Sequence, residues 1–446
     1  MSHSEQLEQS FDQAVTYLRG VLGDREAFVL ELVGEVSQFL RFNRAKVRQT
    51  GQVKDGHLTL TLMEGDRSSR RSFPLSGQVD LDLAELQANL TDLRQELPQL
   101  PTDPYLVLPS GQQTSRTIQS GQLLPPKELP ARLLTPVAQQ DFVGFYAGGE
   151  QLRAYADSSG NTHWFATESF VLDYSLFAEN GQAVKGTFAD GNWHDDAYLA
   201  KMQDSLHQLA QCDQPAKSIP RGVYRTYLAP AAVAELLSML SWGALSEFAL
   251  QRGESSLGFL RRGEKMLSPH FNLRENFGRG LVPRFNAWGE LAPVELPLIQ
   301  QGRLVTGLTN ARTAKEYGLQ SNGANNGESL RSPEMSPGSL PVGDVLQTLE
   351  TGLYLSNLHY LNWSDRTGGR ITGMTRYACF WVEQGELIAP IEHLRFDESL
   401  YRCFGEKLVA LTDQVEFIPE VGTYSHRDLG GSWVPGMLID DFTYTL

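Results

Sequence analysis

The chain has 446 residues, 41% apolar, 10% aromatic and 20% charged, a globular composition with material for two or three domains that excludes a wholly disordered protein. Lys and Arg total 38 against 53 Asp and Glu, a formal charge of −15. Such a balance favours solubility and speaks against phosphate backbones or anionic lipid as general partners.

In chain order, residues 3–22 carry Leu7, Phe11, Val15, Leu18 and Leu22 on one helical face. Residues 28–48 are mixed, with a strand expected near their end. His57–Leu62 alternates with period two and reads as a strand, with Lys54-Asp55-Gly56 as the turn before it. Val79, Leu83, Leu86, Leu90 and Leu93 predict a helix over 79–97, ended by Pro98. Residues 98–136 are rich in Pro, Gln, Ser and Gly and read as a long surface excursion. Strands are expected at 141–156, 163–177 and 183–188, separated by Ser158-Ser-Gly-Asn161 and Glu179-Asn-Gly181, and a helix at 195–211. The apolar stretch 228–246 includes Pro230, Glu235 and three serines, so it reads as a buried core helix rather than a membrane span. Glycine-punctuated short strands are expected from there to the end. The fold expectation is α+β: an N-terminal α+β domain over 1–215, with the excursion at 98–136, followed by a β-rich, partly barrel-like C-terminal domain over 220–446.

Motif chemistry is sparse. No phosphate loop, dinucleotide fingerprint or nucleophile elbow occurs; Gly278-Arg-Gly280 runs into Leu-Val-Pro instead. The nine histidines never fall within five residues of one another, so no helical His pair for a metal can be built. Cys212, Cys379 and Cys403 have no metal-ligand spacing, and an odd, sparse count fits reduced thiols. The opening Met1-Ser-His-Ser-Glu-Gln-Leu lacks a basic region followed by an apolar run. A cytoplasmic protein is the expectation. Two segments suit ligand contact. Ser321-Asn-Gly-Ala-Asn-Asn-Gly-Glu-Ser-Leu-Arg331 is polar and turn-rich, and its amides both donate and accept; a solvated loop is the plainer reading. Asn357-Leu-His-Tyr-Leu-Asn-Trp-Ser-Asp365 mixes aromatic bodies with polar tips, as a cleft wall does. Arg376 beyond it could clamp a carboxylate or make a structural salt bridge.

Gly352-Leu-Tyr354, Gly373, Phe380-Trp-Val-Glu-Gln-Gly-Glu386 and Pro390 resemble the end of the TldD/PmbA family. Pro283-Arg-Phe-Asn-Ala-Trp-Gly-Glu290, Leu298-Ile-Gln-Gln-Gly-Arg-Leu304, Thr313-Ala-Lys315 and Gly431-Ser-Trp-Val-Pro-Gly-Met437 are similar to its middle and terminal sections. The resemblance covers about residues 220–446. It implies paired subunits enclosing a chamber, with one subunit type carrying His-Glu-x-x-x-His on a helix and a Cys near the C-terminus as zinc ligands, the Glu activating zinc-bound water. This sequence departs from that pattern. Its corresponding helix, Ala231–Leu250, holds Glu235 and Glu247 but no His, and Gly422-Thr-Tyr-Ser-His-Arg-Asp-Leu-Gly430 holds His426 but no Cys. The expectation is therefore a non-catalytic subunit or peptide-binding partner of a metallopeptidase-type assembly, without bound metal or cofactor. It would act as a homodimer or as a heterodimer with a motif-bearing relative. Peptide contacts are expected at Asn325, Asn326, Arg331, His359, Asn362 and Arg376. A peptidase in its own right is the alternative, and a nucleic-acid or gyrase-associated regulator is disfavoured by the charge.

Overall fold

The computed structural model describes residues 2–445. The N-terminal part runs α1 (His3–Val21), β1 (Glu26–Asn43), β2 (Lys46–Glu64), β3 (Arg67–Pro74), α2 (Val79–Glu96), β4 (Thr114–Gln119), α3 (Leu129–Leu134), β5 (Asp141–Asp157), β6 (Thr162–Phe177), β7 (Ala183–Asp190) and α4 (Asp195–Cys212). Its seven strands form one sheet in the order β3-β2-β1-β5-β6-β4, with β7 also on β6. All pairings are antiparallel except β4 with β6. A capping box starts α1: the Ser2 hydroxyl accepts from the Glu5 N–H while the Glu5 carboxylate accepts from the Ser2 N–H. Leu7, Phe11 and Leu18 of α1 and Leu86, Leu90 and Leu93 of α2 then bury against Phe28, Leu30, Leu58 and Leu60 of the sheet.

One expectation fails here. Lys54-Asp55-Gly56 is no turn; these residues lie inside β2, opposite Val36, Glu35 and Gly34. The chain reverses instead at Arg44-Ala45, both left-handed (φ 50° and 51°), with the Ala45 N–H donating to the Phe142 carbonyl at 3.1 Å. The excursion over 98–136 is also more ordered than its composition suggests, since it supplies β4 and α3.

The C-terminal part runs β8 (Gly222–Leu228), α5 (Pro230–Ser238), α6 (Glu247–Arg252), α7 (Gly258–Arg261), β9 (Leu273–Asn276), β10 (Glu295–Gln300), β11 (Arg303–Leu304), α8 (Ala311–Tyr317), β12 (Pro333–Met335), α9 (Val345–Leu349), β13 (Gly352–Asp365), β14 (Arg370–Glu383), β15 (Glu386–Pro390), β16 (Arg395–Ser399), β17 (Leu408–Pro419) and β18 (Gly431–Tyr444). Eleven strands make one sheet in the order β11-β10-β9-β12-β18-β16-β14-β13-β8. β15 adds to β14, β17 adds to β18, and β18 also pairs with β8. That last pairing curls the sheet into a partial ring rather than a closed barrel. The predicted single helix over 231–250 is two helices: the chain breaks after α5 through a short 3-10 turn and left-handed Gly243 (φ 83°), and restarts at Ser246, which caps α6. The strands are also not uniformly short, since β13, β14 and β18 each span 14 residues.

Pro230 opens α5, where its missing N–H costs nothing. Ala232, Val233, Leu236 and Leu237 pack beneath it on Leu353, Leu355, Met437 and Ile439. A further apolar cluster bridges the two sheets, with Phe142, Tyr174, Tyr198 and Met202 meeting Ala378 and Phe380. No helix among the described residues is long and apolar enough to cross a membrane.

Candidate functional site

A cleft of about 430 Å³ opens between the two sheets at helix α5. The N-terminal side contributes Asp173 of β6, Lys185 and Thr187 of β7, and Lys201, Asp204 and Gln208 of α4. The C-terminal side contributes Ala231, Ala234, Glu235 and Ser238 of α5, Tyr354, Ser356 and Asn357 of β13, and Glu416, Ile418 and Glu420 on and just after β17. Local periodicity places these groups. Lys201, Asp204 and Gln208 share a helical face, and Glu416, Ile418 and Glu420 share a strand face. The Ala229 N–H donates to the Leu355 carbonyl at 2.9 Å, which ties the start of α5 to β13.

The charges in the cleft are uneven. Lys201 pairs with Glu416 at 2.5 Å across the two halves, and Lys185 pairs with Asp173. Burial alone would lower the Lys201 pKa, but Glu416, Tyr174 and Asp204 outweigh it and hold it above the ordinary value. Glu235 and Glu420 line the cleft as exposed residues. Burial pushes the Glu235 carboxyl up and Glu420 pushes it further; burial and then Asp428 do the same to Glu420. Among the described residues no imidazole or thiol lines the cleft. The thiols lie in the core, where burial pushes Cys379 up to about 11 and Cys212 up to about 12.

Zinc does not fit these residues. With Glu235 as the Glu of His-Glu-x-x-x-His, the imidazole positions are Ala234 and Met239, a methyl group and a fully buried thioether. Among the described residues no three His, Cys, Asp or Glu side chains converge as a metal site.

The segment where the family's Cys is expected does something else. Residues 420–430 form a strap from β17 to β18 that plants Arg427, 3% exposed, in the N-terminal sheet. Its guanidinium donates to the carbonyls of Ala147 (3.1 Å), Ser169 (2.6 Å) and Gly149 (2.9 Å) and to the Ser169 hydroxyl (3.3 Å). The Arg427 N–H donates to buried Glu35 at 2.9 Å, and Gln151 Nε2 donates to the Arg427 carbonyl at 2.5 Å. Burial lowers the Arg427 pKa to about 10 despite Glu35. Neighbouring His426 is also lowered, by burial and then by Arg153.

The six residues expected to touch peptide fall into two groups, and none of them lines this cleft. Asn325, Asn326 and Arg331 sit in the loop between α8 and β12. Asn325 closes that loop on Ser329, and the Asn326 carbonyl accepts from Asn310. Arg331 donates to the carbonyls of Pro283, Phe285 and Gly323 and covers the Phe277 ring at 4.6 Å, so its guanidinium is committed to structure. Ser321, Asn322 and Gly323 of the same loop line a second cavity of about 600 Å³ beside Trp288. His359, Asn362 and Arg376 share the β13–β14 hairpin; His359 and Asn362 lie beyond cleft-lining Asn357, and Arg376 lies opposite it.

Residues 221–446 match the family described as PmbA/TldA metallopeptidase C-terminal domain. The chain belongs to the PmbA/TldD family. Three solved structures share its fold over nearly the whole length. A candidate modulator of DNA gyrase from Thermotoga maritima is 13% identical, with 98% of this chain and 100% of that one covered at a TM-score of 0.77. A candidate modulator from Bacteroides thetaiotaomicron is 16% identical, covering 99% and 98% at 0.77. TldE from Thermococcus kodakarensis is 12% identical, covering 98% and 100% at 0.76. No curated protein matches the chain in sequence. Reasoning from sequence alone missed the cleft residues of α4 and β17 and the Arg427 strap. The period-two Glu416, Ile418, Glu420 pattern was the available signal for β17.

Proposed function

We propose that this PmbA/TldD-family chain holds extended peptide in the cleft at α5 and serves as a non-catalytic subunit, paired with a second copy or with a metal-bearing relative. The observation that carries this reading is the composition of the cleft wall. Helix α5 keeps Glu235 but offers Ala234 and Met239 in place of imidazoles, while Ser238, Ser356 and Asn357 supply hydroxyl and amide groups suited to a peptide backbone. A second reading, a peptidase without metal, draws on Glu235 and Glu420, whose raised pKa values suit proton transfer.

Purified protein assayed for zinc and for cleavage of an unfolded casein substrate separates the two. The expected result is binding without cleavage, with Ala234→Trp filling the cleft and weakening peptide binding at least about tenfold. Stoichiometric zinc with zinc-dependent cleavage would overturn the non-catalytic reading. Metal-independent cleavage lost in Glu235→Gln would establish the second. Peptide binding indifferent to Ala234→Trp would remove the cleft from either.

A further inference from the structure

The β13–β14 hairpin carries three groups that the cleft does not use. A bulge between Leu355 and Asn357 re-aims β13, so that the cleft-lining row Tyr354, Ser356, Asn357 continues to His359 while Leu355 and Leu358 stay in the core. Arg376 of β14 lies directly opposite Asn357 and shares its face. The contact its guanidinium makes is with the ring of its own neighbour Tyr377, at 5.2 Å to the centroid.

His359 is pushed down by burial, then by Arg376 and His393. Two tyrosines in left-handed backbone flank His359 and Arg376, Tyr360 (φ 54°) and Tyr377 (φ 64°), and Tyr360 is 78% exposed. Both sit where the β13–β14 register shifts, at bulges that re-aim the two strands.

We propose that Arg376, with His359 diagonally beside it on the hairpin, is the subsite that takes the terminal carboxylate of a bound peptide where β13 leaves the cleft. The proposal rests on the peptide-holding reading and adds a direction to it. A guanidinium fork accepts a carboxylate through two parallel hydrogen bonds. The unpaired acids Glu235 and Glu420 lie in the cleft itself, so the peptide's ammonium end faces them and its acid end faces Arg376. From Tyr354 to Asn357, the residue opposite Arg376, the row spans about 10 Å, so the last three or so residues of an extended peptide would lie along it.

Calorimetric titration of the full chain with one uncharged-side-chain pentapeptide tests this, in three forms: free C-terminal acid, C-terminal amide, and amide with an internal Asp. The acid is expected to bind about tenfold more tightly than either amide, Arg376→Gln to bind all three alike, and Arg376→Lys to keep part of the preference. Equal binding of acid and amide by the unmodified protein would overturn the proposal, as would an Arg376→Gln protein that keeps the preference. Tight binding of the Asp-containing amide would equally refute a terminal-carboxylate site. Failure of every form to bind would instead defeat the peptide-holding reading, and the subsite with it.

Discussion

Removing the Arg427 side chain should unfasten the strap from the N-terminal sheet. Four hydrogen bonds from a charged donor are worth roughly 1.5–3 kcal/mol each. Against them stands the cost of stripping water from the guanidinium. Its pKa falls to about 10, burial outweighing the favourable charges of Glu35 and Tyr146, and that fall puts the net cost at about 3 kcal/mol. The balance leaves a net contribution of at least about 3 kcal/mol, within the roughly 3–5 kcal/mol seen when one member of a buried charged set is removed. Arg427→Ala also leaves the carbonyls of Ala147 and Gly149 without this donor. Arg427→Lys keeps the charge but replaces a fixed fork with a point donor that cannot reach all three carbonyls, so it should recover less than half of the loss.

Guanidinium denaturation followed by tryptophan fluorescence reads the change, with hydrogen exchange at residues 147–149 locating it. The expected result is a lower midpoint in Arg427→Ala and faster exchange at that sheet segment. A variant within about 1 kcal/mol of the unmodified protein would refute the latch, because it would mean that desolvation cancels the bonds. Full recovery by lysine would show that charge, not the fork, holds the strap.

Other perturbations follow from the same geometry. Gly149 has φ 149°, and a Cβ there would strike the Val36 carbonyl, so Gly149→Ala should cost at least about 2 kcal/mol and lower the thermal midpoint. Leu237→Ala removes a fully buried side chain under α5 and should cost about 2–5 kcal/mol in chemical denaturation. Because Glu235 and Glu420 have raised folded pKa values, the folded state binds more protons than the unfolded one between the unfolded and folded values. The penalty is absent below the unfolded pKa near 4.5 and complete above the folded pKa. Glu235→Gln should therefore raise the melting temperature at neutral pH and leave it unchanged near pH 4; an equal gain at both would assign it to something other than charge.

Local signals reached the sequence reading wherever one element decided its own form. The leucine spacing of 79–97 became α2, ending at Glu96, and the β5–β6–β7 meander followed its turn residues closely. What escaped was fixed from a distance. The β1–β2 reversal at Arg44-Ala45 carries no glycine and is held by a bond to Phe142, nearly a hundred residues away, while the turn-like Lys54-Asp55-Gly56 is extended because β1 pairs along it. β4 exists because Thr114–Gln119 finds a parallel partner in β6. The break at Trp242-Gly243 did have a local mark, which the strong apolar periodicity on either side concealed. The cleft shows the same division: each row of polar residues is periodic in sequence, but that α4 faces β17 is a property of the packed sheets.

The two departures from the metal-bearing family pattern lie on elements that share this cleft. On α5, Ala234 and Met239 flank Glu235, and the thioether is spent on the core. On the strap, the segment that could have delivered a soft ligand instead delivers an arginine into the opposite sheet. The strap begins at Glu420, which faces Glu235, and seven residues later it is anchored by Arg427. An anchor that close fixes where Glu420 can stand. Fastening the strap to the N-terminal sheet therefore sets the separation of the two acids and the width of the cleft between them, so loosening Arg427 should change the pH response of Glu235 and not only the stability of the chain.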